Sequence, residues 1–247
     1  MLLAVDIGNS SIKFGVFDGE TLHSKFSIAT QRGSTADQLR EAVENRLEFP
    51  ISSAIMCSVV PKLEAPLRTF LKTSYAVDPF IVKNNLDFGL KIHYQPLEAA
   101  GTDRIVNCFA AAEKYGVPCI VCSFGTATTI DVVDDAREML GGLIAVGLFA
   151  SAKALHQQTA QLPEVEIREP ESVIGHTTET SIQSGIFYSQ IGLVESVVAR
   201  FKNQIGDNLK VIATGGFASM IAKNTDVIDV VDENLLLDGL RVLAHRN

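Results

Sequence analysis

The chain has 247 residues, 47% apolar and 20% charged, with 21 basic against 29 acidic side chains and a formal charge of −8. This composition excludes a mainly disordered chain, and the length suits one large domain or two modest ones, each able to bury a core. The balance is acidic and no long Lys/Arg run occurs, which excludes nucleic acid and anionic lipid as principal partners, because both are held by concentrated positive charge.

Met1 to Val5 form a short apolar run without a basic leader, too short for a signal core, so a cytoplasmic protein is expected. The longest apolar stretch, Leu143 to Ala150, is broken by Gly147 and falls short of the roughly 20 residues of a membrane helix. No membrane association is expected. Cys119 and Cys122 form a C-x-x-C, a spacing also used by redox and metal sites. Here it lies in an apolar, β-rich run, where residues three apart face opposite sides. With no second such pair and no nearby histidine, buried small side chains are the expected reading.

Strands are predicted over 2–6, 12–17 and about 21–28, with Asp18-Gly19 as the turn of a hairpin. Thr35 and Gln38 have capping-box spacing and open a helix carrying Leu39, Val43 and Leu47 on one face. A strand from Ile51 to Ser58 follows, then a helix starting near Pro61 and a short strand from Pro79 to Lys83. The first half therefore reads βββαβαβ. Thr102 precedes a helix over 103–115 that Gly116 terminates.

From Val117 the order begins again, with strands at 117–123, 127–133 and about 137–143. Helices follow, then a strand at 210–213, a helix and a strand at 226–231. This predicts an α/β protein of two similar halves, 1–115 and 116–247, with the last helix free to pack back on the first. An inter-domain cleft is expected to hold the ligand.

Three stretches carry chemistry. In Asp6-Ile7-Gly8-Asn9-Ser10-Ser11-Ile12-Lys13, an acid at a strand end precedes a small-residue turn. Such a turn can aim amide hydrogens at phosphoryl oxygens, with Asp6 near Mg²⁺ and Lys13 offsetting phosphate charge. It reads equally well as a tight hairpin. Phe124-Gly125-Thr126-Ala127-Thr128-Thr129 occupies the same strand-turn-strand position in the second half, so two matching turns could clamp one polyphosphate. Thr214-Gly215-Gly216 ends a buried strand before a helix, an arrangement that suits a nucleotide. The five histidines are scattered, which argues against a histidine-based metal site or triad.

The ordered set of Asp6–Ser10, Tyr94-Gln95-Pro96, Gly101-Thr102-Asp103-Arg104 with Asn107, Phe124–Thr129, Gly141-Gly142, Leu162-Pro163, Gly175 with Thr178, Gln183-Ser184-Gly185 and Thr214–Gly216 resembles type III pantothenate kinases. These belong to the superfamily of acetate and sugar kinases, Hsp70 and actin, and the resemblance spans nearly the whole chain. It implies two ribonuclease H-like (actin-like ATPase) domains and transfer of the ATP γ-phosphoryl group to pantothenate, the first step toward coenzyme A.

By the same resemblance, Asp103 is the general base and Arg104 holds the substrate carboxylate. Tyr94, Gly101, Thr102 and Thr178 line the pantothenate pocket, with Thr178 reaching in from the partner chain of a homodimer. Asp6, Gly8, Asn9, Ser10, Lys13, Gly125, Thr126, Thr128, Gly215 and Gly216 hold the nucleotide. Mg²⁺ and a monovalent cation, K⁺ or NH₄⁺, are implied cofactors, with Asp6 and Ser123 at the metal.

Read without the resemblance, Asp103 is a helix N-terminal acid kept ionised by the helix dipole, and it pairs with Arg104 as many surface acids do. Thr178 alone reads as a helix cap.

Two positions depart from the family pattern. Ser123 stands where the family carries an aspartate, giving a neutral ligand in place of a charge. Val146 replaces a proline in the loop after Gly141-Gly142. Because phosphoryl transfer depends on charge compensation, Ser123 leaves two readings open: a kinase compensated locally, by Asp131 or by water, or a weak or silent homologue acting through a protein partner. A third possibility is another small-molecule kinase, since Gly8 to Phe14 is also similar to acetate kinases.

Overall fold

A computed structural model describes residues 1–246. The chain forms two compact units, one of Met1–Leu90, Tyr94–Ala110 and the segment from Asn234 onward, the other of Lys91–His93 and Ala111–Glu233.

The first unit begins with β1 (Leu2–Ile7), β2 (Ser11–Asp18) and β3 (Thr21–Ala29), an antiparallel meander. Next comes α1 (Ala36–Val43), which has the predicted capping box: the Gln38 backbone donates to the Thr35 hydroxyl, and the Thr35 backbone donates to the Gln38 side chain. Strand β4 (Ser53–Ser58) lies parallel to β1, so that β1 is flanked on both sides and almost wholly buried.

The helix foreseen at Pro61 opens as a 3₁₀ turn over Pro61–Leu63 and becomes α2 at Glu64–Tyr75. Proline suits that opening because its missing N–H has no partner to lose in a first turn. Strand β5 is only Phe80–Ile81, shorter than expected because its ladder with β4 spans two residue pairs. The sheet order is β3-β2-β1-β4-β5. Leu3, Val5, Phe14, Leu39, Met56, Leu67 and Phe70 pack in one core between this sheet and the helices.

The sequence reading missed β6 (Lys91–Ile92), a two-residue strand. Helix α3 (Thr102–Tyr115) follows, starting at Thr102 itself and not after it. The second unit then repeats the meander as β7 (Cys119–Phe124), β8 (Ala127–Val133) and β9 (Glu138–Val146). The strand therefore runs on through Val146, where a loop was expected after Gly141-Gly142.

The predicted helices are α4 (Leu148–Gln158) and α5 (Thr178–Ile205), followed by β10 (Lys210–Thr214), the five-residue α6 (Ala218–Ala222) and β11 (Val230–Val231). The second sheet runs β11-β10-β7-β8-β9-β6, which is the order of the first with β6 added at one edge. On β7, Ile120, Cys122 and Phe124 enter the core with Ile130, Leu148, Phe187 and Val211, whereas Cys119 alternates to the other face. Both thiols are buried, and burial pushes each up to about 12, so the C-x-x-C is structural. The last helix, α7 (Leu235–Arg246), belongs to the first unit and packs on β1, β2 and β4.

Candidate active site

Asp6 sits near the end of β1, directly opposite Lys13 on β2 and Cys57 on β4. It is 4% exposed, an unusual position for a carboxylate, and each of its oxygens has a donor. Lys13 Nζ lies 3.3 Å from Oδ2, and the Cys57 thiol donates to Oδ1 at 3.6 Å, within the longer reach of sulfur.

The turn that follows is closed by the Gly8 backbone donating to Ser11 O at 3.0 Å. Thr30, just beyond β3, fastens it, with its hydroxyl donating to Gly8 O at 2.6 Å and its backbone donating to Ser10 O at 3.0 Å. Asn9 and Ser10 are exposed at the tip, and the Arg32 guanidinium donates to Asn9 Oδ1 at 3.3 Å.

Asp103 occupies the first turn of α3 in the same unit. The Arg104 backbone N–H donates to its Oδ1 at 2.9 Å. Burial and the nearby Asp6 charge nonetheless push the carboxyl above its ordinary value, against the opposing pull of that N–H, Arg104 and Lys13. This corrects the expectation of a dipole-stabilised acid, because desolvation and a like charge outweigh the helix terminus here.

Gly101 explains how the acid is placed: a Cβ at this position would come within 2.6 Å of Asp103 Oδ1. Arg104 is 5% exposed, so it is no surface ion pair. Its guanidinium lies 5.3 Å from the Tyr94 ring centre and donates to the Tyr94 hydroxyl at 3.4 Å. The Thr102 hydroxyl donates to Asn84 Oδ1 at 2.5 Å, and the Asn84 amide donates to Leu97 O and Ala100 O.

In the second unit, the Gly125 backbone donates to Ala127 O at 3.1 Å to close the turn between β7 and β8, with Thr126 exposed. The Gly215 bend lies against the end of β7. Gly215 has φ +94°, and a Cβ there would sit 2.5 Å from Phe124 O, so both conformation and space demand glycine. Gly125 and Gly215-Gly216 are thus neighbours at one end of this sheet. Helix α6 is too short for its dipole to add much.

Thr128 is displaced from its expected role. It is fully buried, and its hydroxyl donates to Gln190 Oε1 at 2.6 Å, because alternation along β8 turns it into the core with Ile130 and Val132. Ser123 pairs with Thr129 on β8 and Thr214 on β10. Asp131, 2% exposed, stands on the same face of the sheet one step along.

Thr178 is the first residue of α5 and is not its cap. The capping oxygen belongs to Thr177, which accepts from the Thr180 backbone at 3.1 Å. Thr178 lines an open groove of about 1120 Å³ between α4 and α5, together with Leu155, Ile182 and Ile186.

The sequence reading missed Thr30, Arg32, Asn84 and Cys57, all of which touch predicted site residues. Their contacts arise from strand register and loop closure, which no local motif encodes.

Two sheets of matching order, each with a small-residue turn between its first two strands, define the fold of the actin-like ATPase class. A sequence model described as type III pantothenate kinase matches residues 2–200. Type III pantothenate kinases from Geotalea daltonii and Paramagnetospirillum magneticum are 40% and 41% identical over 100% of this chain and 99% and 98% of their own.

Among solved structures, a Baf family transcriptional activator from Campylobacter jejuni aligns with TM-score 0.63 at 21% identity, covering 99% of this chain and 98% of its own. A ROK family glucokinase from Streptomyces griseus, in complex with glucose and AMPPNP, aligns with TM-score 0.55 at 13% identity over 100% and 99%. At such identities these two show the fold alone. The chain belongs to the type III pantothenate kinase family, and no helix among its described residues is long and apolar enough to cross a membrane.

Proposed function

We propose that the chain phosphorylates pantothenate to 4′-phosphopantothenate with ATP, with Asp103 as the general base. The observation that carries this reading is the placement of Asp103: an acid at a helix start, held by Gly101 and Arg104, raised by burial and by the Asp6 charge. A carboxyl raised in this way is, when ionised, a better proton acceptor than an ordinary aspartate. Buried Arg104, stacked on Tyr94, offers its planar fork to the pantothenate carboxylate, with Gly101 and Thr102 forming the adjoining wall.

The backbone of Gly8, Asn9 and Ser10, and that of Gly125 and Thr126, would bind phosphate oxygens, with Lys13 supplying charge and Gly215 and Gly216 lying against the nucleoside. Among the described residues no group of three His, Cys, Asp or Glu side chains gathers into a metal cage. That suits Mg²⁺, which is commonly held by one or two carboxylates, substrate phosphates and waters. Asp6 would hold it and Ser123 would add a neutral oxygen; the ion neutralises phosphoryl charge when bound. A monovalent cation, K⁺ or NH₄⁺, completes the cofactor set by likeness to the family.

We infer a cytoplasmic homodimer in which the partner's Thr178 lines the pantothenate pocket. Support for self-association comes from Ile144, Val146, Phe149, Val173 and Ile174, large apolar side chains 57–70% exposed in the second unit. The silent-homologue reading rests on Ser123 alone.

The deciding assay combines purified protein, Mg-ATP, pantothenate and K⁺, with Asp103→Asn as control. ADP release that depends on pantothenate and vanishes in the control supports the kinase. Binding without turnover supports the accessory role.

A further inference from the structure

Cys57 has no part in the roles assigned so far, yet it is the side chain directly beside Asp6 on β4. It is fully buried, and its thiol donates to Asp6 Oδ1 at 3.6 Å.

The opposite neighbour of Asp6 is Lys13, whose ammonium reaches Oδ2. The two oxygens of Asp6 are therefore held from opposite sides of the same strand, one by a mobile cation that is 44% exposed, the other by a short, buried, neutral donor. These two contacts differ in kind. Lys13 can swing toward a phosphate without leaving solvent, whereas the thiol is fully buried and has one χ angle.

We propose that Cys57 is a positioning residue: its thiol fixes the rotamer of Asp6, so that the Asp6 carboxylate presents the same oxygen toward the metal-bound phosphates whether or not Lys13 is engaged. The inference rests on the reading of Asp6 as the residue that holds Mg²⁺. Groups that orient a metal-binding carboxylate typically matter about 10–100-fold in metal affinity, and a thiol, as a weak donor, belongs at the lower end.

The test compares wild type, Cys57→Ser, Cys57→Ala and Asp6→Asn. The Mg²⁺ concentration for half-maximal activity and the affinity for Mg-ADP without pantothenate are measured for each. Cys57→Ala is expected to need about tenfold more Mg²⁺ and to bind Mg-ADP about tenfold more weakly, with an unchanged KM for pantothenate. Cys57→Ser, which keeps a donor, is expected to restore both. Wild-type Mg²⁺ dependence in Cys57→Ala, or an equal loss in Cys57→Ser, overturns the inference.

Unaltered Mg²⁺ dependence and Mg-ADP affinity in Asp6→Asn would instead overturn the reading of Asp6. Should Cys57→Ala not fold, the S–H stretching band of wild type against Asp6→Asn decides. A band that shifts when the carboxylate is removed supports the contact, and an identical band refutes it.

Discussion

Asp6 and Lys13 face each other across the β1–β2 ladder with Lys13 Nζ 3.3 Å from Asp6 Oδ2, a charge pair set beside a turn whose backbone amides suit phosphate. Lys13 is 44% exposed, so its charge remains available to a ligand, whereas Asp6 is buried and relies on it for compensation. Lys13→Met is expected to raise the KM for ATP about tenfold, equivalent to ~1.4 kcal/mol. Thermal stability should fall as well, because the buried Asp6 carboxylate loses its cationic partner. Steady-state kinetics and a melting curve check both.

The raised Asp103 carboxyl sets the acid side of the pH profile. The base works only when ionised, so kcat/KM should fall with decreasing pH at a higher value than an ordinary aspartate, near 3.9, would give. Asp6 is one cause of the rise, and Asp6→Asn should move the Asp103 titration to lower pH. Carboxyl NMR reports that shift independently of turnover.

The same shift carries a stability consequence. An acid whose folded pKa lies above its unfolded value favours folding most below the unfolded value, and that contribution is lost as pH rises through the folded one. Above the folded value the ionised acid therefore costs stability. Asp103→Asn is expected to abolish turnover while raising stability at such a pH. Denaturant titration at pH 7 tests it, and the gain should shrink in acid.

Ser123 lies between Thr129 and Thr214 on a face that also carries Asp131. If a missing charge limits catalysis, Ser123→Asp should increase pantothenate phosphorylation. An unchanged or lower rate means that no deficit exists at this position, and Asp131→Asn then shows whether Asp131 supplies the charge.

Thr128→Val should behave as a core substitution. It removes the donor to Gln190 Oε1 in a fully buried pair, a loss of about 1–3 kcal/mol. The KM for ATP should stay at the wild-type value, which separates this residue from those of the adjacent turn.

Much of this architecture could be read from local pattern. The strands around Gly8 and Gly125 are short apolar runs joined by a small-residue turn, and the Thr35–Gln38 box is complete in four residues. What escaped depends on partners remote in sequence. Lys91–Ile92 is a strand only because Glu138 and Met139 pair with it. Asp103 lies in a recognisable motif, but the rise in its carboxyl comes from burial and then from Asp6, which only the fold brings near. That Cys57 touches Asp6 follows from the parallel register of β4. Thr128 was misassigned because a turn motif does not say which of two adjacent threonines faces inward.

The short strand β6 is drawn from between two segments of the first unit and completes the sheet of the second, while α7 returns at the end of the chain to the first. No single peptide cleavage can therefore release either unit with all its pieces. Heat or urea should melt the chain in one cooperative step, and fragments split near residue 110 should regain structure only when mixed.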